Sequence, residues 1–468
     1  MIKILKEEIN INDFVEIECD EVSDGEVIVE FIGLDGVSFK SEELIDNNIL
    51  SIFIKPGMNG QSYKVRLNKN GVTSNEVILK VNKEIKNKKF SYKDKIFYVK
   101  SYDDVYENKL YLCLDDFKNA FNGTKKEFSF ERLGNNKIIV NGKERRYFTT
   151  IVNNQGNAYC YCYSTDVMMM LDITIRMKND EYNVFDEFTI DIEELKRNKY
   201  FSYLHGCIVG DIDSGKIYYQ ENENNVCAIA STSKLLTLLL VREKIEEKVL
   251  DYDYLIEIGE KSQREALSED GVVYLECGKK IPLYDMLDCL MLPSSNESAI
   301  ALGEAISGSE GNFARLMNEK CEELGLSNAY FYNASGLPAY NYSVMPSKLQ
   351  NRMTAKEMYK LASHIVSTYP DLLNITSKKS SYIKSLDVTI NNTNPLLFNM
   401  DDCYGLKTGT TNRAGCCLVS YCNYKNKRII SVVFGAESSQ ERGEKSFALM
   451  KYAKSEIDKL NEIKKTLN

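Results

Sequence analysis

Residues 228–241 read AIASTSKLLTLLLV, a short polar step followed at once by an apolar run. From Leu235 to Val241 that run is hydrophobic on every side, which predicts a buried helix, not an amphipathic surface helix. Ser231 and Lys234 stand three positions apart where the helix begins. That is almost one turn, so the two share a face. A serine hydroxyl is a poor nucleophile until a neighbouring base takes its proton. A lysine is such a base when burial and nearby cations lower its pKa. The helix N-terminus adds backbone N–H groups and partial positive charge for a developing oxyanion. Taken alone the pair is a weak signal, because Ser231 also suits an ordinary N-cap.

Working outward, the strand-like run Gly206–Ile212, the turn Asp213-Ser214-Gly215 and the run Lys216–Gln220 predict a hairpin ahead of the helix. Helical patterns follow to about Val366. The chain then finishes with strands Gly415–Tyr421 and Arg428–Gly435 and a last helix to Leu460, in which Leu449, Ala453, Ile457 and Leu460 share one packing face. Strands at both ends with helices between predict one sheet covered by helices.

Two further polar clusters interrupt this α/β region. Ser294-Ser295-Asn296 follows Pro293 at the end of an apolar helix, Leu283–Leu292, and helical spacing resumes from Glu297 to Ala305. A tight inter-helix turn there aims a hydroxyl and an amide into a cleft, or simply caps the next helix. Lys407-Thr408-Gly409-Thr410 lies on an extended segment leading through Asn412 and Arg413 into the C-terminal strands. Its glycine lets a substrate backbone approach closely, and its bland reading is a strand end.

In this order the three pieces resemble the SxxK, SxN and KTG motifs of penicillin-recognising enzymes. The surrounding stretches AIASTSKLLT, GKKIPLYDMLDCLMLPSSNESAIALGEAISGS, FARLMNEKCEELGLSNAYFYNASGLP and YGLKTGTTNRAGCCLVS resemble the serine-type D-Ala-D-Ala carboxypeptidases, the low-molecular-weight penicillin-binding proteins. The likeness runs from about Tyr203 to Leu460. It implies an α/β penicillin-binding/β-lactamase-like (DD-peptidase) fold over residues 203–468. It also implies Ser231 as the acylated nucleophile, Lys234 as its base, and Ser294 and Asn296 as proton relay and amide holder. Lys407 would shape the electrostatics, Thr408 and Thr410 would bind the terminal carboxylate beside Gly409, and the backbone N–H groups of Ser231 and Thr410 would form the oxyanion hole. Peptidoglycan stem peptides ending in D-Ala-D-Ala are the implied substrate and β-lactams the implied inhibitors. The family needs no cofactor and no metal.

Composition agrees. The 468 residues carry Lys+Arg 59 against Asp+Glu 68, a formal charge of −9, which makes nucleic acid and anionic membrane surfaces poor partners. With only His205 and His364 there is no HExxH pair, and each histidine reads as structural. The thirteen cysteines lack CxxC spacing and are expected as free buried thiols in a reducing setting. The N-terminus, MIKILKEEININDF, shows no export signal, and no stretch is long enough to be a transmembrane segment. The family normally works outside the membrane, so localisation stays open.

Ahead of the catalytic region two accessory domains are expected. Over residues 1–84 the alternating runs EVIVEFIG, ILSIFIKPG, SYKVRLNKNG and SNEVILKVN, with an Asn70-Gly71 hairpin signal, predict an Ig-like β-sandwich. A polar link, Glu84 to Asp94, should follow. Residues 95–198 carry a faint repeat, Tyr111–Phe117 laid over Tyr161–Val167. Each copy is a strand, an Asp or Thr able to cap, and a helical run. The unit resembles the small α+β domains related to the N-terminal domain of copper amine oxidases. Met168-Met169-Met170 reads as core packing, since consecutive helical residues face different ways.

Two rival functions remain. A β-lactamase would need a deacylating carboxylate, and the nearest look-alike, Pro370-Asp-Leu-Leu-Asn374, carries aspartate at an unlike spacing. The other rival is a non-catalytic cell-wall-binding protein that relies on its sandwich domain.

Overall fold

The computed structural model describes residues 2–467 apart from 6, 11–13, 20–21, 23–24, 34–37, 55–61, 70, 83, 105–108, 135–136, 148, 155–156, 179–180, 187, 189–191, 193–195, 197–198 and 339–348. The chain forms two compact units, Met1–Phe188 and Thr189–Asn468.

The N-terminal unit holds two sheets with separate apolar clusters. In the first, the expected strands appear as Gly25–Gly33, Ile49–Phe53, Ser62–Lys69 and Val77–Asn82. Their alternation puts Val27, Val29, Phe31, Val65 and Leu67 into one core. Ile2–Ile4, Glu8–Asn10, Phe14–Cys19, Ser38–Asp46 and Val72–Thr73 complete nine strands among the described residues. Gly71 takes φ +83° between two of them, as a hairpin requires, while Asn70 lies outside the described residues.

The second sheet corrects the expected link. Lys86–Tyr92 is a strand pairing antiparallel with Lys95–Asp104 and parallel with Glu181–Asp186. Only Phe90 and Tyr92 turn inward, and the lysines around them hide the alternation. Both copies of the repeat are strand–helix units, with helices at Leu114–Phe121 and Ser164–Leu171. The expected caps are absent: Cys113 and Tyr163 occupy the N-cap positions without side-chain bonds. Asp115 and Asp116 instead accept from the backbone N–H groups of Cys160 (2.9 Å) and Lys100 (2.7 Å). The three methionines pack, partly buried, against this aromatic core.

The C-terminal unit is built as the sequence pattern suggests. Its main elements are β1 (Gly206–Asp211), β2 (Ile217–Glu221), α1 (Lys234–Glu246), α2 (Leu283–Met291), α3 (Asn296–Ser307), α4 (Ala355–Thr368), β3 (Cys403–Thr411), β4 (Gly415–Tyr424), β5 (Lys427–Ala436) and α5 (Ser439–Leu467). The sheet runs β2-β1-β5-β4-β3, all antiparallel, so the strand carrying Lys407 to Thr410 is an edge. Leu449, Ala453 and Ile457 of α5 are buried as expected, but Leu460 is 37% exposed, one turn beyond the packed face. All thirteen cysteines are free, and Cys277, against expectation, is exposed. No helix among the described residues is long and apolar enough to cross a membrane.

Candidate active site

Ser231 sits in a 3-10 turn, Ala230–Ser233, that runs into α1. Leu235, Leu236, Leu238, Leu239 and Val241 fix that helix in the core on all sides. Lys234, the first residue of α1, is fully buried as a result. Its Nζ donates to Ser231 Oγ at 2.8 Å, Asn296 Oδ1 at 2.7 Å and the Ser335 carbonyl at 2.8 Å. Three acceptors match the three donors of an ammonium. A neutral amine keeps two donors, for Asn296 and Ser335, and turns its lone pair to the Ser231 hydroxyl.

Burial pushes the Lys234 amine down to about 7, while the carboxylates of Glu297 and Glu265 pull it part of the way back. Sequence reading placed no full negative charge near this lysine. The structure supplies two, because α3 turns Glu297 inward and the helix Glu260–Ala266 presents Glu265. Glu297 also accepts from the backbone N–H groups of Val272, at 3.1 Å, and Val273.

The second cluster splits its work. Ser295 is the N-cap of α3, accepting from Ser298 N at 2.9 Å, which leaves its two neighbours for other contacts. Asn296 bridges Lys234 and the Asp270 carbonyl, which its Nδ2 reaches at 3.2 Å. Ser294 is half-buried in the turn before it, at φ +72°.

The third cluster lies against Ser231. A Cβ on Gly409 would fall 2.8 Å from Ser231 N and 2.9 Å from Thr232 N, so only glycine lets β3 approach this closely. Lys407 is buried and donates to the Thr408 carbonyl at 3.0 Å. Burial first, then the charges of Lys234 and Arg442, hold its amine well below the ordinary lysine range. Thr408 is buried against Thr393 (Oγ1–Oγ1 2.5 Å), and Thr410 is exposed.

Besides Glu297 and Glu265, three further contributors escaped the sequence reading. Arg442 on α5 is buried and donates from Nη1 to Thr410 Oγ1 at 3.2 Å and to the Gly409 carbonyl at 3.5 Å. Thr393 meets Thr408. The segment Asn333–Leu337 wraps the start of α1: the Ala334 carbonyl accepts from Thr237 Oγ1 at 2.8 Å, and Gly336, at φ +90°, brings its backbone so close that a Cβ would fall 2.0 Å from the Ala230 carbonyl oxygen. Only that last segment left a trace in the sequence, as the stretch NASGLP.

The other candidates fall elsewhere. Asp371 of the 370–374 segment is engaged by Arg242 Nε at 2.8 Å and the Tyr252 hydroxyl at 3.2 Å. His205 packs beside Gly435, and His364 lies on α4 next to Thr368.

A serine and a buried lysine at one helix start, an Asn at the start of another and a Lys-Thr-Gly edge strand are the groups that acyl transfer by a serine peptidase calls for. A family model described as D-alanyl-D-alanine carboxypeptidase matches residues 205–438, half of the chain, and the chain belongs to that family. Its C-terminal unit has the DD-peptidase fold of the penicillin-binding proteins, preceded by sheet-rich N-terminal regions. The chain is 32% identical over 248 residues to the D-alanyl-D-alanine carboxypeptidase DacF of Bacillus subtilis, a match covering 53% of this chain and 61% of that protein. It is 28% identical to DacC of Escherichia coli, over 52% of this chain and 59% of that protein. The chain thus spans about three-fifths of the length of these curated relatives. A solved structure of penicillin-binding protein D2 from Listeria monocytogenes, in its ampicillin-bound form, is 27% identical over 54% of this chain and 98% of that one, with a TM-score of 0.47.

Proposed function

We propose that this protein is a serine-type D-Ala-D-Ala carboxypeptidase that removes the terminal D-Ala of peptidoglycan stem peptides and is acylated by β-lactams. The observation that carries the reading is the fully buried Lys234 Nζ, 2.8 Å from Ser231 Oγ, with burial pushing its amine down to about 7. A base poised near neutral pH is what proton removal from a serine requires.

In the first half-reaction Lys234 takes the Ser231 proton as Oγ attacks the carbonyl carbon of the scissile bond. The oxyanion is held by the N–H groups of Ser231 and Thr410. Collapse breaks the C–N bond, and the proton passes from Lys234 through Ser294 to the leaving amine of D-Ala. Asn296 orients both Lys234 and the substrate amide. Thr408 and Thr410 receive the terminal carboxylate, with the Arg442 guanidinium supplying positive charge behind them and Lys407 shaping the electrostatics around Ser231. Water then repeats the attack on the ester, Lys234 again serving as base, and Ser231 is restored.

For the N-terminal regions we propose an Ig-like sandwich over residues 1–84 and a copper-amine-oxidase-N-like module over 95–198, both accessory to the catalytic region 203–468. Their separate sheets and cores support a modular reading.

The test is covalent labelling by a fluorescent penicillin alongside D-Ala release from an acyl-D-Ala-D-Ala peptide. Ser231→Ala should abolish both with the circular dichroism unchanged. Undiminished labelling of that variant would sink the assignment.

A further inference from the structure

A cavity of about 550 Å3 lies in the C-terminal unit, and its lining includes Cys227, Ala228, Gln350, Arg352 and Arg413. The proposed function uses none of these side chains. Yet the cavity is joined to the site on two sides. Gln350 Oε1 accepts from the hydroxyl of Thr411, the residue that ends β3 directly after Thr410, at 3.0 Å. Cys227–Ala228 pairs with Arg352–Met353, and Ile229 N donates to the Asn351 carbonyl at 3.0 Å just before the turn that carries Ser231.

Direction follows from the same strand. If the terminal carboxylate rests at Thr408 and the scissile carbonyl lies between Ser231 and Thr410, the acyl half of the peptide continues past Thr411 toward Arg413. That course leads to the cavity. Its volume lies in the ordinary range for a ligand pocket and accommodates a side chain or two.

The lining chemistry is one-sided. Arg352 and Arg413 bring two guanidiniums, which stay protonated, and none of the described residues lining the cavity is acidic. The asymmetry stands out in a chain of net charge −9. Arg352 is solvent-exposed and lies over the Tyr330 ring at 5.5 Å, which restricts its orientation while leaving its head reachable. Guanidinium pairs with carboxylate through a planar fork, so a carboxylate is the group these residues suit.

We propose that the cavity is an upstream subsite that binds a free carboxylate on the acyl half of the peptide, making the enzyme prefer acidic stems to their amidated forms. The proposal rests on the proposed function.

It is tested with two acyl-peptides ending in D-Ala-D-Ala that differ only in an upstream side-chain carboxylate or carboxamide. Wild type should release D-Ala from the acid with a kcat/KM about tenfold higher, mostly through KM, the worth of one charge-assisted contact. Raising salt should shrink the preference. Arg352→Gln with Arg413→Gln should erase it by slowing the acid alone, leaving the carboxamide and penicillin labelling unchanged. Equal loss on both peptides, or a preference surviving in the double variant, overturns the subsite. The wild-type ratio and its salt dependence need no variant, so a misfolded double mutant does not remove the test. A wild type that labels with penicillin but shows no preference overturns the subsite and leaves the function standing. One that neither labels nor releases D-Ala overturns both.

Discussion

The two units bury different things. Among the described residues, the buried polar set of the N-terminal unit is Ser101, Thr149, Thr150, Asp166 and Thr174, with one carboxylate and no cation. The C-terminal unit buries Lys234, Lys407, Arg442 and Lys445, along with Asp211, Asp285, Asp288, Glu297 and Glu357. Within it the partners differ again. Asp288 meets Lys378 at 2.7 Å, Asp211 meets Lys427 at 3.1 Å, and Glu357 closes the capping box of α4. Lys234 and Lys407 donate only to neutral oxygens. A buried charge with no counter-ion in contact destabilises a fold, and a lysine there answers by releasing its proton, at Lys234 against the opposing pull of Glu297 and Glu265. An ion pair marks architecture; a buried lysine among hydroxyls, amides and carbonyls marks chemistry.

That distinction breaks first at Lys234. Lys234→Arg keeps the charge but cannot become neutral, so acylation by penicillin should fall by about a thousandfold or more in stopped-flow labelling. Substantial acylation by this variant would mean that Lys234 acts by charge alone. Gly409→Ala should come next. Its new methyl must displace Ser231 N, and a shift of that order costs about a hundredfold in acylation while the fold persists by circular dichroism. Wild-type activity there would show that β3 does not set the nucleophile's position.

The pH profile sharpens the point. Below about 7 the lysine is protonated and acylation should drop tenfold per pH unit; above it the rate should level off. A rate still climbing toward 10.5 would contradict the burial argument. Linkage gives a companion result. Between about 7 and 10.5 the unfolded lysine holds a proton that the folded one has lost, so this group favours the folded state more as pH rises. The melting temperature of wild type relative to Lys234→Met should therefore increase across that window, and a constant difference would refute it. The smallest effect concerns the other region. A chain of residues 189–468, with its own core, should label within about twofold of the full chain. A truncated protein that folds but is not acylated would tie the N-terminal unit to catalysis.

Legibility in the sequence followed locality. Ser231 and Lys234 could be paired because they are one turn apart, and Asn296 and Gly409 because their neighbours form short recognisable runs. Arg442 lies among Gln440, Glu441, Glu444 and Lys445, where nothing local separates a buried arginine from a solvated one. Only the packing of α5 makes that choice. Glu265, Glu297, Thr393 and Gln350 reach the site region from separate elements, so their roles exist only in the folded chain. In the N-terminal unit the plain alternation of Val27, Val29 and Phe31 was readable, whereas in Lys86–Tyr92 two apolar residues among lysines were not. The Asp residues of the repeat were read as caps because sequence shows their proximity to a helix start, not the neighbouring strands that compete for them.

Gly336 has a consequence for how this sequence can vary. It and Ser335 are buried, the Ser335 carbonyl engaged by Lys234 and the Gly336 N–H by Asn333 Oδ1, and a replacement at 336 meets both a left-handed backbone and the Ala230 carbonyl. Any larger residue there would push on the turn that carries Ser231 and on the acceptor that holds Lys234. Drift at this one position is closed to the chain, whatever happens to the side chains around it.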